Sequence, residues 1–228
     1  MARAIVLMAA WLCVVPAVAR AQYRDLGPPI SSPRVAGKLA LGLLGTVDVE
    51  DEDPSTANIE DDLLVSYGFE AELSFPVHTF VTIGVLGRML WMNLEEWDDN
   101  NIDRSMTLDL DAVLRVRYPV TSGTIAIEPY LGIPVGLSFS FLNDDVAQAW
   151  PAWANVETSS NIGWNIGIIG GAIFWVARQV GILAEIGWSH HFLSNEFSWR
   201  ISTIASGQSD VDSYLDEVAL DLGVAVSF

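Results

Sequence analysis

Hydrophobic and polar residues alternate along most of this chain with a period of two. Residues 105–118 show the alternation most clearly. One set of positions holds Met106, Leu108, Leu110, Ala112, Leu114, Val116 and Tyr118, and the other holds Thr107, Asp109, Asp111, Val113, Arg115 and Arg117. Successive side chains of a β-strand point to opposite faces of the sheet. The pattern therefore predicts a strand with one fully apolar face and one face bearing four charges.

The same period recurs in eight segments that are separated by polar or turn-forming stretches. The predicted strands are residues 35–47, 62–75, 80–92, 105–118, 124–141, 161–176, 180–192 and 217–228. Pro129 and Pro134 lie inside the fifth segment, where each removes a backbone donor, and they predict a β-bulge there.

The connections between these strands alternate in length. Three of them are tight turns, at residues 76–79, 119–123 and 177–179, and the other four are long stretches rich in Asp, Asn, Glu and Ser. Short turns on one side and long loops on the other are typical of outer-membrane barrels. A two-sheet sandwich gives no reason for every second loop to be long.

The distribution of side chains over the two strand faces also favours a membrane barrel. The charged face holds many small residues, including Ala36, Ala40, Gly136 and Gly167, whereas the large aliphatic and aromatic residues occupy the other face. Small and polar side chains suit the narrow lumen of an eight-stranded cylinder, and apolar ones suit contact with lipid. We therefore predict an all-β fold, an eight-stranded antiparallel up-and-down transmembrane β-barrel.

Aromatic residues are predicted to mark both edges of the apolar band. On the long-loop side these are Tyr67, Trp91, Trp164 and Trp188, and on the turn side they are Phe75, Phe80, Tyr118 and Phe228.

The first 21 residues have the form of a secretory signal peptide. Arg3 precedes an apolar stretch, and residues 19–21 (Ala-Arg-Ala) form a cleavage site ending at Ala21. Residues 22–34 are then a short periplasmic segment, and residues 35–228 are the barrel. Cys13, the one cysteine, lies within the signal peptide, so no disulfide is expected. Removing Arg3 and Arg20 takes the formal net charge from -18 to -20, which disfavours nucleic acid as a partner.

The charged face of the strands is predicted to form an ion-pair network inside the barrel. Its members are Lys38, Glu70, Glu72, Arg88, Asp109, Asp111, Arg115, Arg117, Glu128, Glu185 and Asp221. Depth along the strands predicts three sets of pairs: Arg88 with Asp109 and Asp111, Arg115 and Arg117 with Glu70 and Glu128, and Lys38 with Glu72 and Asp221.

Four of these side chains are basic and seven are acidic. Excess buried carboxylate must bind protons, water or cations, because an unpaired buried charge is very costly. Two interpretations remain open: a closed, ion-paired lumen, or a narrow pore for protons, cations or small solutes.

Two stretches resemble a known group of proteins. Residues 128–136 (Glu-Pro-Tyr-Leu-Gly-Ile-Pro-Val-Gly) and 222–228 (Leu-Gly-Val-Ala-Val-Ser-Phe) are similar to those of the small outer-membrane β-barrel superfamily of Gram-negative bacteria, typified by the OmpA membrane domain and OmpX. The resemblance implies an outer-membrane location, contact with membrane lipid and lipopolysaccharide, and a monomer. It also implies that Phe228 is part of the signal read by the barrel-assembly machinery. The chain stops at the last strand, so no peptidoglycan-binding domain is expected.

Some barrels of this shape are enzymes, and a lipid A deacylase family uses a Ser, His and Glu. Glu185, Ser189 and His191 invite the comparison, but Glu185 and Ser189 are on the order of 13 Å apart along a strand. Ser189 and His191 share a face at roughly 7 Å, with no third group expected to orient them. We therefore expect a non-enzymatic protein, with a lipid A-modifying enzyme as an alternative. Three histidines and no mature cysteine predict no metal site and no cofactor.

The long loops are strongly acidic, with carboxylates concentrated at residues 48–53, 60–62 and 95–99. Such runs are typical of a solvated anionic surface. The expected role is envelope integrity or surface interaction and adhesion, and an extracellular partner would bind through the loops.

Overall fold

The computed structural model describes residues 31–51, 59–62, 65–92, 105–122, 125–141, 155–201 and 205–228. The strands are β1 (Arg34–Asp51), β2 (Ile59–Asp62), β3 (Ser66–His78), β4 (Val81–Met92), β5 (Ser105–Arg117), β6 (Val120–Ser122), β7 (Ile125–Phe141), β8 (Asn155–Trp175), β9 (Val180–Ile201) and β10 (Ala205–Ser227). The predicted signal peptide and cleavage site, residues 22–30 and the acidic loop residues 52–53 and 95–99 lie outside this part of the chain.

The strands form one closed antiparallel barrel. Hydrogen-bonded neighbours follow the order β10, β9, β8, β7, β5, β4, β3, β1, and β10 pairs with β1 to close the circle. The short strand β2 pairs with β1 beyond the end of β3, and β6 pairs with the beginning of β7. Eight strands therefore make the wall, and the predicted fold class is confirmed.

Burial alternates along the strands as predicted. In β3 the even-numbered residues from Ser66 to Ser74 are buried and the odd-numbered ones are exposed. Large apolar side chains such as Leu222 (55% exposed) and Ile186 (55%) face outward, whereas Asp221 (0%) and Glu185 (2%) face the lumen. A soluble barrel would have the reverse arrangement, so this surface requires a lipid surrounding.

Several strand bounds differ from the sequence prediction. β1 extends to Asp51 and β2 lies within the predicted first long loop, β3 extends to His78, and β6 lies within the turn predicted at residues 119–123. Three further features also differ. The last hairpin continues as strand through Ile201 and from Ala205, where a long loop from residue 193 to 216 was expected. Residues 196–201 (Glu-Phe-Ser-Trp-Arg-Ile) do alternate, so the sequence itself signals the longer β9, whereas residues 205–213 are mostly small or polar and give no such signal.

The second difference concerns the bulge. The pairing of β7 with β8 omits Ile133 and Pro134 but keeps one register on either side of them, so no bulge forms at the prolines. Register shifts occur instead in β1 between Gly42 and Leu44, where Leu43 and Leu44 both face outward, in β3 between Pro76 and His78, and in β8 between Thr158 and Ser160.

The third difference is the start of the barrel. β1 begins at Arg34, and this side chain is 4% exposed inside the lumen rather than in a periplasmic segment.

Aromatic side chains lie outward at both ends of the apolar surface, as predicted. Tyr67 stacks on Trp91 with ring centroids 5.7 Å apart at the long-loop end, and Phe80 stacks on Tyr118 at 5.9 Å near the turns. Among the described residues, no helix has the length and apolar character needed to cross a membrane.

Candidate functional site

The lumen at the turn end is crossed by a contact between opposite walls. Arg34 on β1 and Glu128 on β7 form a two-pronged ion pair, in which Nη2 donates to Oε2 over 2.9 Å and Nη1 contacts Oε1. In the circle of eight, β1 and β7 are four strands apart in either direction. Arg117 lies 3.4 Å from the same carboxylate. The pair therefore spans the bore along its diameter.

A second layer of charges lies above this contact. Lys38 Nζ is 2.6 Å from Glu185 Oε1, 2.7 Å from Glu70 Oε2 and 3.8 Å from Glu72 Oε2. Arg115 contacts Glu72 with one amino group and lies 3.2 Å from Glu185 with the other. All five side chains are at most 8% exposed. Such geometry offsets much of the cost of removing the charges from water.

Two further side chains complete this layer. Arg88 donates from Nε to Glu70, and its Nη1 lies 3.4 Å from Ser189 Oγ on the opposite wall. Tyr130 donates its hydroxyl to Glu185 Oε2 over 2.7 Å, and its ring lies under the Arg115 guanidinium at 4.8 Å.

The half of the lumen nearer the long loops contains a hydrogen-bonded polar group. Ser138 Oγ donates to Asp109 Oδ1 over 2.6 Å and lies 2.9 Å from His191 Nδ1. His191 Nε2 lies 3.1 Å from Ser189 Oγ. Asn165 donates to Asp111 Oδ1 over 2.9 Å. Buried aliphatic side chains lie beside and beyond this group: Leu215 is directly opposite His191, and Leu90 and Leu193 lie one inward position further toward the long loops, all at most 6% exposed.

The structure buries all eleven predicted network residues but changes several partners. Arg88 is directly opposite Glu70 on β3 and directly opposite Asp109 on β5. It forms an ion pair with Glu70 and not with Asp109 or Asp111. Arg115 pairs with Glu72 and Glu185, and not with Glu70 or Glu128 as expected. The expectations of Arg117 with Glu128 and of Lys38 near Glu72 match the observed distances.

These pairings were mistaken because depth along a strand does not give the stagger between strands. Lys38 is directly opposite Glu70 rather than Glu72, and long Arg side chains reach across the lumen to strands that are not neighbours.

Asp221 has an unusual environment. It is fully buried and directly opposite another carboxylate, Glu185, in the β9–β10 register. Neither of its oxygens has a hydrogen-bond partner within the described part of the chain, so the predicted Lys38–Asp221 pair does not form. Glu217 Oε2 is likewise unpartnered, while its Oε1 accepts from Ser66.

Sequence reasoning missed two members of the lumen set. Arg34 lies two positions before Ala36 and Glu217 four positions before Asp221, so the alternation itself places both on the inner face. With them, the described lumen holds five basic side chains and eight acidic ones. The basic ones are Arg34, Lys38, Arg88, Arg115 and Arg117, and the acidic ones are Glu70, Glu72, Asp109, Asp111, Glu128, Glu185, Glu217 and Asp221.

The arrangement of Ser189 and His191 corrects the sequence expectation. Their side-chain atoms are 3.1 Å apart rather than roughly 7 Å, and Asp109 Oδ1 lies 3.5 Å from the other ring nitrogen. A third group is therefore present. All three side chains face the lumen and are at most 7% exposed. The wall of the barrel therefore separates them from the lipid outside.

Oxygen atoms from Glu70, Glu185 and Asp221 lie within 4.8 Å of one another, close enough to coordinate one cation. The Lys38 ammonium already contacts two of these three carboxylates. The cluster is therefore part of the ion-pair network.

A cavity of about 20 Å³ at the turn end is lined by charged residues including Arg34, Glu72 and Glu128. This is room for about one water molecule.

No family model matches the chain, and no curated protein matches its sequence. Among solved structures, the chain is similar to the outer membrane protein OprG from Pseudomonas aeruginosa, with a TM-score of 0.59 and 12% identity over 89% of this chain and 98% of that one. It is also similar to Neisserial surface protein A, with a TM-score of 0.48 and 14% identity over 86% of this chain and 97% of that one.

The likeness to OprG and the outward apolar surface together define the class: a small eight-stranded β-barrel of the outer-membrane type. The resemblance stated from the sequence is confirmed at the level of fold. An outer-membrane location follows from that fold, because a closed barrel with an apolar exterior requires a membrane around it.

Proposed function

We propose that this protein is a non-enzymatic outer-membrane barrel with a closed lumen, which serves envelope integrity or surface interaction through its acidic loops. The observation that supports a closed lumen is the Arg34–Glu128 pair between opposite walls. A direct side-chain contact along the diameter obstructs the bore at that level, where the cavity beside it has room for about one water molecule.

The layers above support the same proposal. Arg115 bridges Glu72 on β3 and Glu185 on β9, and Lys38 joins the same two carboxylates from β1. Toward the long loops, the buried side chains of Leu90, Leu193 and Leu215 add apolar groups to the lumen. A passing ion would have to displace several buried charge pairs, each of which costs about 3–5 kcal/mol to break.

Planar-bilayer recording tests the closed lumen. We expect no steady conductance from the folded wild-type barrel. The double variant Arg34→Ala/Arg115→Ala removes two of the arginines that reach across the bore, and it should open brief cation-selective events because carboxylates outnumber bases. Arg178→Ala, at an exposed turn residue, is the matched control. Steady conductance from the wild type would instead support the narrow pore for protons, cations or small solutes.

The proposal of a non-enzymatic protein depends on access. The Ser189, His191 and Asp109 side chains are buried inside the lumen, so the barrel wall separates them from a lipid substrate in the membrane. Lipid A from cells expressing the wild type and His191→Ala should give identical mass spectra. A fatty-acid loss that requires His191 would establish the deacylase-like alternative.

A deletion strain separates the two envelope roles. Loss of envelope integrity should increase uptake of large apolar antibiotics, and expression of a chain with residues 48–53 and 95–99 neutralised should restore the barrier. If the acidic loops mediate surface interaction, the neutralised chain should restore the barrier but not adhesion.

We propose three contacts for this protein in the cell: lipopolysaccharide, the barrel-assembly machinery acting through Phe228, and an extracellular partner of the loops.

A further inference from the structure

Charged and histidine side chains on the outer wall are confined to its two ends within the described strands. His78 and Arg178 lie at the turn end, and His190, Asp212 and Asp216 lie at the long-loop end. An ionisable group on a membrane-facing surface is costly away from the interface and often has a function. His190 and Asp216 differ from the others because they contact each other.

The contacts fix the Asp216 carboxylate among aromatic rings. Its Oδ1 accepts from Trp188 Nε1–H over 3.1 Å, and His190 Nδ1 lies 2.9 Å from the same oxygen. Since a carboxylate only accepts, the histidine nitrogen donates. The Asp216 side chain remains 38% exposed and the His190 side chain 21% exposed. Asp216 accepts both of these hydrogen bonds at Oδ1, so its Oδ2 can accept from another donor.

Aromatic rings surround this carboxylate. His190 lies edge-on to Phe192 at 4.2 Å and over Tyr214 at 6.3 Å, and Trp188 stacks on His190 at 6.1 Å. We call Trp188, His190, Phe192, Tyr214 and Asp216 the outer-wall aromatic cluster.

The depth of the cluster matches the membrane interface. Along β10, the outward residues below Asp216 are all apolar: Val218, Leu220, Leu222, Val224, Val226 and Phe228. Ten steps of about 3.3 Å, tilted by about 40°, span about 25 Å, which is the height of a barrel's apolar band. Asp216 therefore lies just above the hydrocarbon, level with lipid headgroups.

The opposite wall lacks this arrangement. Tyr67 and Trp91 stack at the long-loop end of β3 and β4, but the described outward side chains of these two strands there include no carboxylate. The aromatic pair on the opposite wall shows that aromatic rings alone can mark the membrane interface. The Asp216 carboxylate therefore needs a separate explanation.

We propose that the outer-wall aromatic cluster binds the ammonium headgroup of a membrane lipid. Faces of aromatic rings attract cations, by about 0.5–2 kcal/mol per contact. A partly exposed carboxylate beside them adds charge-assisted hydrogen bonds to N–H groups. The binding requires the barrel in a membrane but not a closed lumen, so a conducting wild type would leave it intact.

The test compares two lipids in native mass spectrometry of the folded barrel released from vesicles. Phosphatidylethanolamine and phosphatidylglycerol with identical acyl chains differ only in the ammonium group. The wild type should retain phosphatidylethanolamine at least fivefold more than phosphatidylglycerol. Asp216→Asn and Trp188→Phe should each reduce that preference to less than twofold.

Two controls make the result specific. Asp212→Asn removes a charge four residues away on the same face, and Trp91→Phe removes an indole from the opposite wall. Both should keep the wild-type preference, and a heat-dependent gel shift confirms folding of each variant. Equal retention of the two lipids by the wild type, an unchanged preference in both cluster variants, or an equal loss in the controls would overturn the proposal.

Discussion

Arg34 and Glu128 meet across the full width of the barrel, although they lie 94 residues apart in the chain. The Arg34 guanidinium also lies 5.1 Å from the Trp175 ring, so one side chain links β1, β7 and β8. Glu128 contacts Arg117 as well as Arg34. The contact therefore holds the turn end of the cylinder at a fixed diameter.

Removing Arg34 should destabilise the barrel markedly. Arg34→Ala leaves Glu128 with one basic partner at 3.4 Å, and breaking a buried pair costs about 3 kcal/mol or more. Urea unfolding of the barrel in lipid vesicles, followed by tryptophan fluorescence, measures the change. Arg178→Ala should stay within about 0.5 kcal/mol of the wild type. Equal effects of the two substitutions would show that the lumen contact contributes nothing to stability.

Glu185 and Asp221 are directly opposite each other, but neutralising one or the other should change the stability of the barrel differently. Glu185→Gln leaves the Lys38 and Arg115 charges short of a partner and should lower the free energy of unfolding by about 3–5 kcal/mol. Asp221→Asn loses no recorded hydrogen bond and removes a like charge, so its effect should be under about 1 kcal/mol or stabilising. The same urea titration decides. A larger loss from Asp221→Asn than from Glu185→Gln would contradict the observed pairing.

Gly42 allows the close approach of β1 to a neighbouring side chain. A Cβ at this position would lie 1.8 Å from Ser66 Oγ and 2.2 Å from Glu217 Oε1. Gly42→Ala should therefore cost about 1–3 kcal/mol by overpacking. At Gly37, which faces outward, an added Cβ meets nothing within 4 Å, and Gly37→Ala should be neutral or slightly stabilising. Adding Ser66→Gly to Gly42→Ala should restore part of the loss. Identical unfolding midpoints for the two alanine variants would refute this account.

The Tyr130 hydroxyl is expected to matter for stability. Tyr130→Phe removes the hydrogen bond to Glu185 but keeps the ring under Arg115, so the cost should be about 1.5–3 kcal/mol, the value of a bond to a charged group. Tyr118→Phe, at a residue 63% exposed, is the control and should change little. A neutral Tyr130→Phe would mean that water replaces the hydroxyl in the lumen.

Much of the fold follows from the sequence because a membrane barrel imposes a strict alternation. Lipid outside and a narrow lumen inside require each successive residue of a strand to meet the opposite surroundings. Residues 105–118 therefore reveal both the strand and the direction of each side chain. The same rule would have placed Arg34 inside, had the first strand been extended by one residue.

The sequence alone does not determine which charges meet. Lys38 lies opposite Glu70, and Arg88 forms an ion pair with Glu70 and not with Asp109. Both results depend on the stagger between neighbouring strands, which is fixed only when the barrel closes. The tertiary structure alone also brings Ser189, His191 and Asp109 together and pairs the extended ends of β9 and β10. Alternation is a local property of each strand, whereas contacts across a lumen are set by the geometry of the whole cylinder.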